Sequence, residues 1–488
     1  MRIFDIAIIG GGVIGSAIAY ELSKFRLDII VIEKEGDVAS GTSKANSGVI
    51  HSGINSPPGS QKAKFCVEGN QLIQQLAKTL GFSYKKVGKY VIAKTQNEAK
   101  ELKNLFKNGK KNNVVGLEIH QSSIINNKEP QVVCEEGLWV PSAGIVLPYE
   151  FTIILAENAL INNVYFLFNT FVKNIKKNHD YFHIETSSNS IQSKLVINAA
   201  GLNCREIVSM FEKPDFQIYP CRGEYLVLDK KYSHLIQSMI YPIPDKEKGV
   251  LGIHLTPTIE GNILIGPSAE YIDDTTDKRT TKKMMNILFD EAKIILPDLP
   301  RNAVINCFSG IRCKLGSPNE GGWADYRIEE SRTTKGLINI LGIESPGLTS
   351  APAIALHIVK MISNHIDLQR KQEFKILRKE KRFSELSLKE RNNLIVKNPQ
   401  WGRIICRCEH VSEAEVINAL SNPLGSQSIS SIKYRCRAGM GRCQGGFCLQ
   451  HMVRILENEF NYDIKDIKLN KEGSYLFSGR TREHVHEK

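Results

Sequence analysis

The N-terminal stretch DIAIIGGGVIGSAIAYEL constrains this chain more than any other feature. An apolar, β-branched run ends at Ile9, and Gly10, Gly12 and Gly15 follow in G-x-G-x-x-G spacing. Val13 to Phe25 then has helical periodicity, and Asp28 to Ile32 reads as a second buried strand closed by Glu33. Gly10 permits a tight turn, Gly12 lets a phosphate approach the backbone, and Gly15 lets helix pack closely on strand. The helix presents its positive dipole end to the phosphates. Glu33 stands where a carboxylate binds a ribose hydroxyl. The unit predicts an α/β fold, a Rossmann-like domain that binds a dinucleotide.

At 488 residues the chain is long enough for two or three domains. Strand-like segments recur at Lys89 to Ala93, Leu195 to Asn198, Glu224 to Leu228, Asn262 to Ile265 and Leu337 to Gly342. Helical patterns cover Gln61 to Leu80 and the stretch after Gly347 to about Ser363. The mixture predicts a nucleotide domain interleaved with a mainly β substrate domain over residues 1–365. Residues 366–400 read as a basic linker. Between Arg370 and Arg403, eleven Lys and Arg stand against four Glu, much of the net charge of +12. Such a run is a solvated surface, or a docking surface for an acidic partner or anionic lipid. No aromatic-rich basic motif accompanies it, so nucleic acid is not expected as a partner. A small helical module is expected over 401–458, with Ser412 and Glu415 as a capping box for a helix from Glu413 to Leu420. A polar tail, 459–488, follows.

Four cysteines mark that module: Cys406 and Cys408 as C-x-C, Cys443 and Cys448 as C-x₄-C. Two thiolate pairs separated by a helix-length gap can surround one metal centre. The spacing departs from the C-x₂-C of zinc knuckles, and a dinucleotide site on the same chain gives a redox-active centre a purpose. Both points favour a 2Fe–2S cluster over structural zinc. One glycine fingerprint, followed by the Gly-, Ser- and Asn-rich GTSKANSGVIHSGINSPPG, favours FAD over a nicotinamide cofactor. No apolar run reaches the ~20 residues that span a bilayer, and a strand begins by Ile3, leaving no room for a signal peptide. The cytoplasm is the expected location, with peripheral association at the inner face of the membrane as the alternative.

The segments VASGTSKANSGVIHSGINSPPGSQKAKFCVEGN, LVINAAG, LGIHLTPTIEGNILIGP, SGIR and GIESPGLTSAPAIA occur in one order. In that order they resemble the D-amino-acid-oxidase-type flavoprotein superfamily. Within it they are most similar to anaerobic glycerol-3-phosphate dehydrogenase large subunits and L-2-hydroxyglutarate dehydrogenases. RAGMGRCQGGFC with the upstream C-x-C resembles the bacterioferritin-associated-ferredoxin-like 2Fe–2S domain. The resemblance implies that Ser43, Lys44, Ser47 and Gly48 line the flavin's pyrophosphate and ring. It implies that Ala200 and Gly201 pass beside the cofactor, and that Gly347, Leu348 and Thr349 cover the ring's polar edge. His51, His254 and Arg312 would face the substrate, with Tyr241 and Lys314 also within reach. Histidine can take a hydroxyl proton near neutral pH, and Arg312 can hold a phosphate or carboxylate. Cys436 is a further cysteine beside the ligand set. The expected activity is oxidation of a small anionic 2-hydroxy compound, sn-glycerol 3-phosphate before L-2-hydroxyglutarate, with an amine or imino acid third. Electrons would pass from flavin to cluster to a partner subunit or quinone. The contrasting expectation is a non-catalytic electron-carrier subunit.

Overall fold

A computed structural model describes residues 2–244 and 251–481. The chain divides into two compact units, residues 1–32 with 38–378, and residues 33–37 with 379–488.

The first unit has the expected α/β architecture. Strand β1 (Ile3–Ile9), helix α1 (Val13–Leu22) and strand β2 (Ile29–Ile32) form in the predicted order. β1 lies parallel between Ser190–Asn198 and β2, and Val164–Leu167 continues the parallel run beyond β2. Leu337–Leu341 pairs parallel with the end of Ser190–Asn198. Side chains alternate across β1 as a strand demands. Ile6 and Ile8 enter the core formed with α1 and the helices Gln61–Leu80, Pro148–Ile161 and Gly347–Ile362. Ala7 and Ile9 enter a second core on the other face.

The first unit also contains a nine-stranded sheet. Tyr219–Leu228 pairs antiparallel with Val304–Lys314 and Ile263–Gly266; His254–Pro257, Met239–Tyr241 and Lys89–Ala93 follow in that order. Leu226, Ile240, Leu255 and Ile265 are register partners and share one apolar core with Leu288 and Phe289. Alternation therefore puts Tyr225, Tyr241, His254 and Lys89 on the opposite face. Arg312 is paired with Cys221 and stands on that face too.

Residues 366–400 do not behave as one linker. Ile366, Leu368, Phe374 and Leu377 pack on the core of the first unit. Asn158 and Asn162 donate to the Leu377 and Lys375 carbonyls at 2.9 and 2.8 Å. From Lys379 the chain belongs to the second unit, where Leu388–Lys397 is a helix started by a Ser387/Glu390 capping box.

The second unit packs the helices Glu413–Leu420, Ile429–Cys436 and Leu449–Phe460 around Val416, Leu420, Ile432, Met452 and Leu456. Ser412 and Glu415 form the expected capping box. Part of the tail completes this core. Ile467 is buried, and the Lys468 and Leu469 carbonyls accept from Ile429 and Ser430 N–H. Residues 482–488 of the tail lie outside the described residues.

Candidate active site and thiolate cluster

The turn after β1 is held by close packing. Gly10 has φ +107°, and a Cβ there would lie 2.5 Å from the Ala199 carbonyl oxygen, so only glycine fits. A Cβ on Gly15 would lie 1.9 Å from the Gly10 oxygen. Gly12 is the N-cap of α1, with no side-chain cap and no acidic residue in the first turn. Ser43 Oγ accepts the Val13 N–H at 2.9 Å, which puts the Thr42–Lys44 turn at the helix N-terminus. Gly48 has φ +67° and passes against the Val146 carbonyl. Ala200 and Gly201 leave their strand beside Gly10, and a Cβ on Gly201 would meet nothing within 4 Å. Glu33 follows directly on β2, and its carboxylate accepts the Glu35 N–H. A helix N-terminus free of acidic side chains and the glycines around it fit an FAD pyrophosphate.

A second helix N-terminus, at Gly347–Ile362, is also free of acidic residues. Gly347 is buried and Leu348 half-buried. The Thr349 hydroxyl is already engaged, accepting the His51 N–H at 2.9 Å and donating to the Val49 carbonyl at 3.3 Å. Thr349 thus fixes the His51 backbone.

The free face of the nine-stranded sheet carries the titratable groups. His254 is buried and stacks on Tyr241 at 3.8 Å between centroids, 12° between planes. Its Nδ1 lies 3.1 Å from the Gly252 carbonyl. A carbonyl only accepts, so Nδ1 carries the hydrogen and Nε2 keeps a lone pair. Nε2 has no partner among the described residues. Burial first, and Lys89 and Arg312 after it, push the imidazole down to about 3 despite the Gly252 bond. Burial, Lys89 and His254 hold His51 well below the usual histidine range. Its Nε2 lies 3.3 Å from Ser345 Oγ. Arg312 donates from both terminal nitrogens to the Ser268 carbonyl at 3.2 and 3.1 Å. A Cβ on Gly223 of the neighbouring strand would lie 2.9 Å from Arg312 Nη2, so glycine leaves room for the guanidinium. Ser47 is bonded to the Tyr225 hydroxyl, bringing the cradle to this face.

Lys314 has a different task from the one expected. Its Nζ lies 3.3 Å from Glu344, which also binds Lys62 at 2.8 Å. Burial raises the Glu344 carboxyl, but Lys62 and Lys314 more than offset this and keep it below the usual range. Lys89 escaped the sequence reading. Its one signal is a lone lysine in the apolar stretch VGKYVIA.

In the second unit the four cysteines come together as two sulfur pairs, Cys406 with Cys448 and Cys408 with Cys443. The bond to Cys448 brings the Cys406 thiol down to about 6. Among the described residues no three His, Cys, Asp or Glu are gathered around a single-ion site. Two pairs of thiolates match the two-plus-two demand of a binuclear cluster. A Cβ on Gly441 would lie 2.1 Å from Cys408 Cβ, and Gly439 and Gly445 have φ +88° and +92°. Glycine therefore lets the loop wrap the sulfurs. Cys406 and Cys448 are buried while Cys443 is exposed, so one edge of the site is open. Cys436 stands apart. Its thiol donates to the Ile432 carbonyl at 3.2 Å within its own helix, and burial pushes it up to about 12.

Comparison with known proteins identifies both domains. Residues 5–361 match the family described as FAD dependent oxidoreductase, and residues 404–458 match the BFD-like 2Fe–2S binding domain. A glycerol 3-phosphate dehydrogenase of Caloramator mitchellensis is 39% identical over 99% of this chain and 100% of its own length. The mitochondrial L-2-hydroxyglutarate dehydrogenase of Arabidopsis thaliana is 32% identical over 72% of this chain and 82% of its own. The dithionite-reduced L-α-glycerophosphate oxidase of Mycoplasma pneumoniae, solved with FAD bound, superposes with a TM-score of 0.72. It is 30% identical over 77% of this chain and 98% of that one.

Proposed function

From a chain that belongs to the FAD-dependent oxidoreductase family and carries a BFD-like 2Fe–2S domain, with FAD and the cluster as cofactors, we propose a glycerol-3-phosphate dehydrogenase that yields dihydroxyacetone phosphate. The observation that carries the substrate is the full-length likeness to the Caloramator enzyme, which spans the thiolate module as well as the flavin domain. Electrons would leave by the open Cys443 edge to a partner subunit or a quinone. No helix among the described residues is long and apolar enough to cross a membrane. Transfer to a quinone would therefore use peripheral docking, which we place at the inner face.

FAD, when bound, supplies the two-electron acceptor for the substrate hydride, and the cluster supplies one-electron transfer onward. Gly10, Gly12, Gly15, Glu33, Ser43, Lys44, Ser47, Gly48, Ala200, Gly201, Gly347, Leu348 and Thr349 would hold the FAD; Cys406, Cys408, Cys443 and Cys448 would hold the cluster. Arg312, anchored on Ser268, turns a planar cation to the substrate's anionic group. The His254 Nε2 lone pair takes the hydroxyl proton. Burial first, then Lys89 and Arg312, depresses that imidazole; an arriving anion offsets both cations and raises its proton affinity when the proton must move. His51, fixed through Thr349, faces the same space and keeps a neutral ring there.

The test is an anaerobic screen of flavin bleaching over sn-glycerol 3-phosphate, L-2-hydroxyglutarate, L-lactate and several amino acids. Rapid bleaching by glycerol 3-phosphate supports the reading. Bleaching by L-2-hydroxyglutarate alone moves the activity to the second relative. Bleaching by none makes the chain an electron carrier.

A further inference from the structure

Lys89 opens the strand Lys89–Ala93 and is 1% exposed, yet its Nζ has no hydrogen-bond partner among the described residues. Nζ lies 4.7 Å from the centroid of the Tyr241 ring, the ring on which His254 stacks. It therefore sits on the sheet face that bears His254 and Arg312. A buried ammonium is costly unless something compensates it, and one aromatic face is partial compensation. Glu344 is held by Lys62 and Lys314. Among the described residues Arg312 donates to the Ser268 carbonyl and the Cys221 thiol. Among the described residues Lys62, Lys314, Arg312 and Lys89 outnumber the acids beside them, Glu344 and Asp325, the latter already accepting the Gln61 and Lys62 N–H. A site with such an excess of positive charge, and with a cation lacking an acceptor, is completed by an anion of more than one charge.

We propose that Lys89 binds the anionic part of the substrate together with Arg312, and that the pair restricts the enzyme to substrates carrying two negative charges. The inference rests on the reading above, in which the substrate meets the His254 face. A phosphate monoester is doubly charged above pH ~6, and a hydroxy dicarboxylate also qualifies. A hydroxy monocarboxylate such as lactate leaves one cation uncompensated. A consequence for pH follows. Burial lowers Lys89 to about 8, with the facing Cys66 thiol acting in the other direction, while its other titratable neighbours, His51 and His254, stay neutral there; without substrate this charge is lost as pH rises through 8. Substrate affinity should be full below that pH and fall above it.

The experiment measures anaerobic flavin reduction of the FAD-loaded holoenzyme against substrate concentration from pH 6.5 to 9.5. It uses sn-glycerol 3-phosphate, L-2-hydroxyglutarate and L-lactate, with wild type, Lys89→Met and Lys89→Arg. In wild type the apparent Kd for the preferred dianion should rise above pH 8. Lys89→Arg, charged throughout, should flatten that rise. Lys89→Met should weaken the dianion by roughly tenfold to a hundredfold, as loss of a charged hydrogen bond implies. It should also narrow the preference over L-lactate. If Lys89→Met does not fold, the wild-type profile decides: a Kd flat to pH 9.5 overturns the proposal, as does an unchanged Kd in a folded Lys89→Met. Reduction by L-2-hydroxyglutarate instead of glycerol 3-phosphate would overturn the substrate reading while leaving the Lys89 test intact. Reduction by L-lactate alone would overturn both.

Discussion

Arg312→Met removes the planar cation from the free face of the sheet while nearly preserving side-chain volume. In the folded chain Arg312 uses both terminal nitrogens on one carbonyl, that of Ser268, at 3.2 and 3.1 Å. Among the described residues no carboxylate is hydrogen-bonded to it, so its remaining N–H directions and its charge are available to the substrate. A hydrogen bond to a charged group contributes about 1.5–3 kcal/mol. At about 1.4 kcal/mol per tenfold, that range corresponds to a loss of affinity of roughly 10- to 150-fold. Arg312→Lys keeps the charge but not the fork and should fall between wild type and Arg312→Met. The assay is anaerobic single-turnover flavin bleaching by sn-glycerol 3-phosphate, in which the concentration dependence reads affinity and the plateau reads chemistry. FAD content and melting temperature serve as folding controls. A folded, flavin-loaded Arg312→Met with wild-type affinity would refute the placement of the substrate's anionic group.

Further outcomes follow from the same geometry. His254→Asn should lower the plateau bleaching rate by about 10²–10⁴, the usual cost of losing a general base, with affinity little changed; stopped-flow absorbance reads both. Gly12→Val should purify without flavin colour, because a Cβ there already lies 3.1 Å from Ser43 Oγ, and branched carbons would fill the phosphate's approach. Acid should unfold the protein early. His254 titrates near 6.5 when unfolded but only at about 3 when folded, so the unfolded state binds more protons between those values. Stability is then lost as pH falls from 6.5 toward 3, by about 1.4 kcal/mol per unit from this residue alone. Urea midpoints at pH 7.5, 6 and 5 should fall in that order, and equal midpoints would contradict the burial of a neutral imidazole.

Local features were legible where neighbours in sequence are neighbours in space. The β1–α1–β2 unit, the Gln61–Leu80 helix and the Ser412/Glu415 capping box can be read from residues a few positions apart. The four cysteines group in sequence as two short-range pairs, whereas the fold matches them across those pairs, Cys406 with Cys448 and Cys408 with Cys443. What escaped depends on partners far along the chain. Lys314 looked available, but Glu344 occupies it across 30 residues. The bond from the His51 N–H to the Thr349 hydroxyl spans 298 residues and has no local signal. Lys89 looked like one lysine among many until the register of Met239–Tyr241 with Lys89–Ala93 brought it under Tyr241. The run around 366–378 reads as a tether because its packing residues, Phe374 and Leu377, are sparse among basic ones.

The central claim joins two centres in one path: chemistry at the His254 face and exit through the Cys406, Cys408, Cys443 and Cys448 cluster. It is tested most directly by adding sn-glycerol 3-phosphate to the anaerobic holoenzyme, freezing samples over time, and recording flavin absorbance and low-temperature EPR on the same mixture. The account predicts flavin bleaching followed by the paramagnetic signal of a reduced 2Fe–2S cluster, with the bleaching retained and the signal absent in Cys443→Ser. A flavin bleached by substrate while a fully loaded wild-type cluster stays oxidised would contradict it.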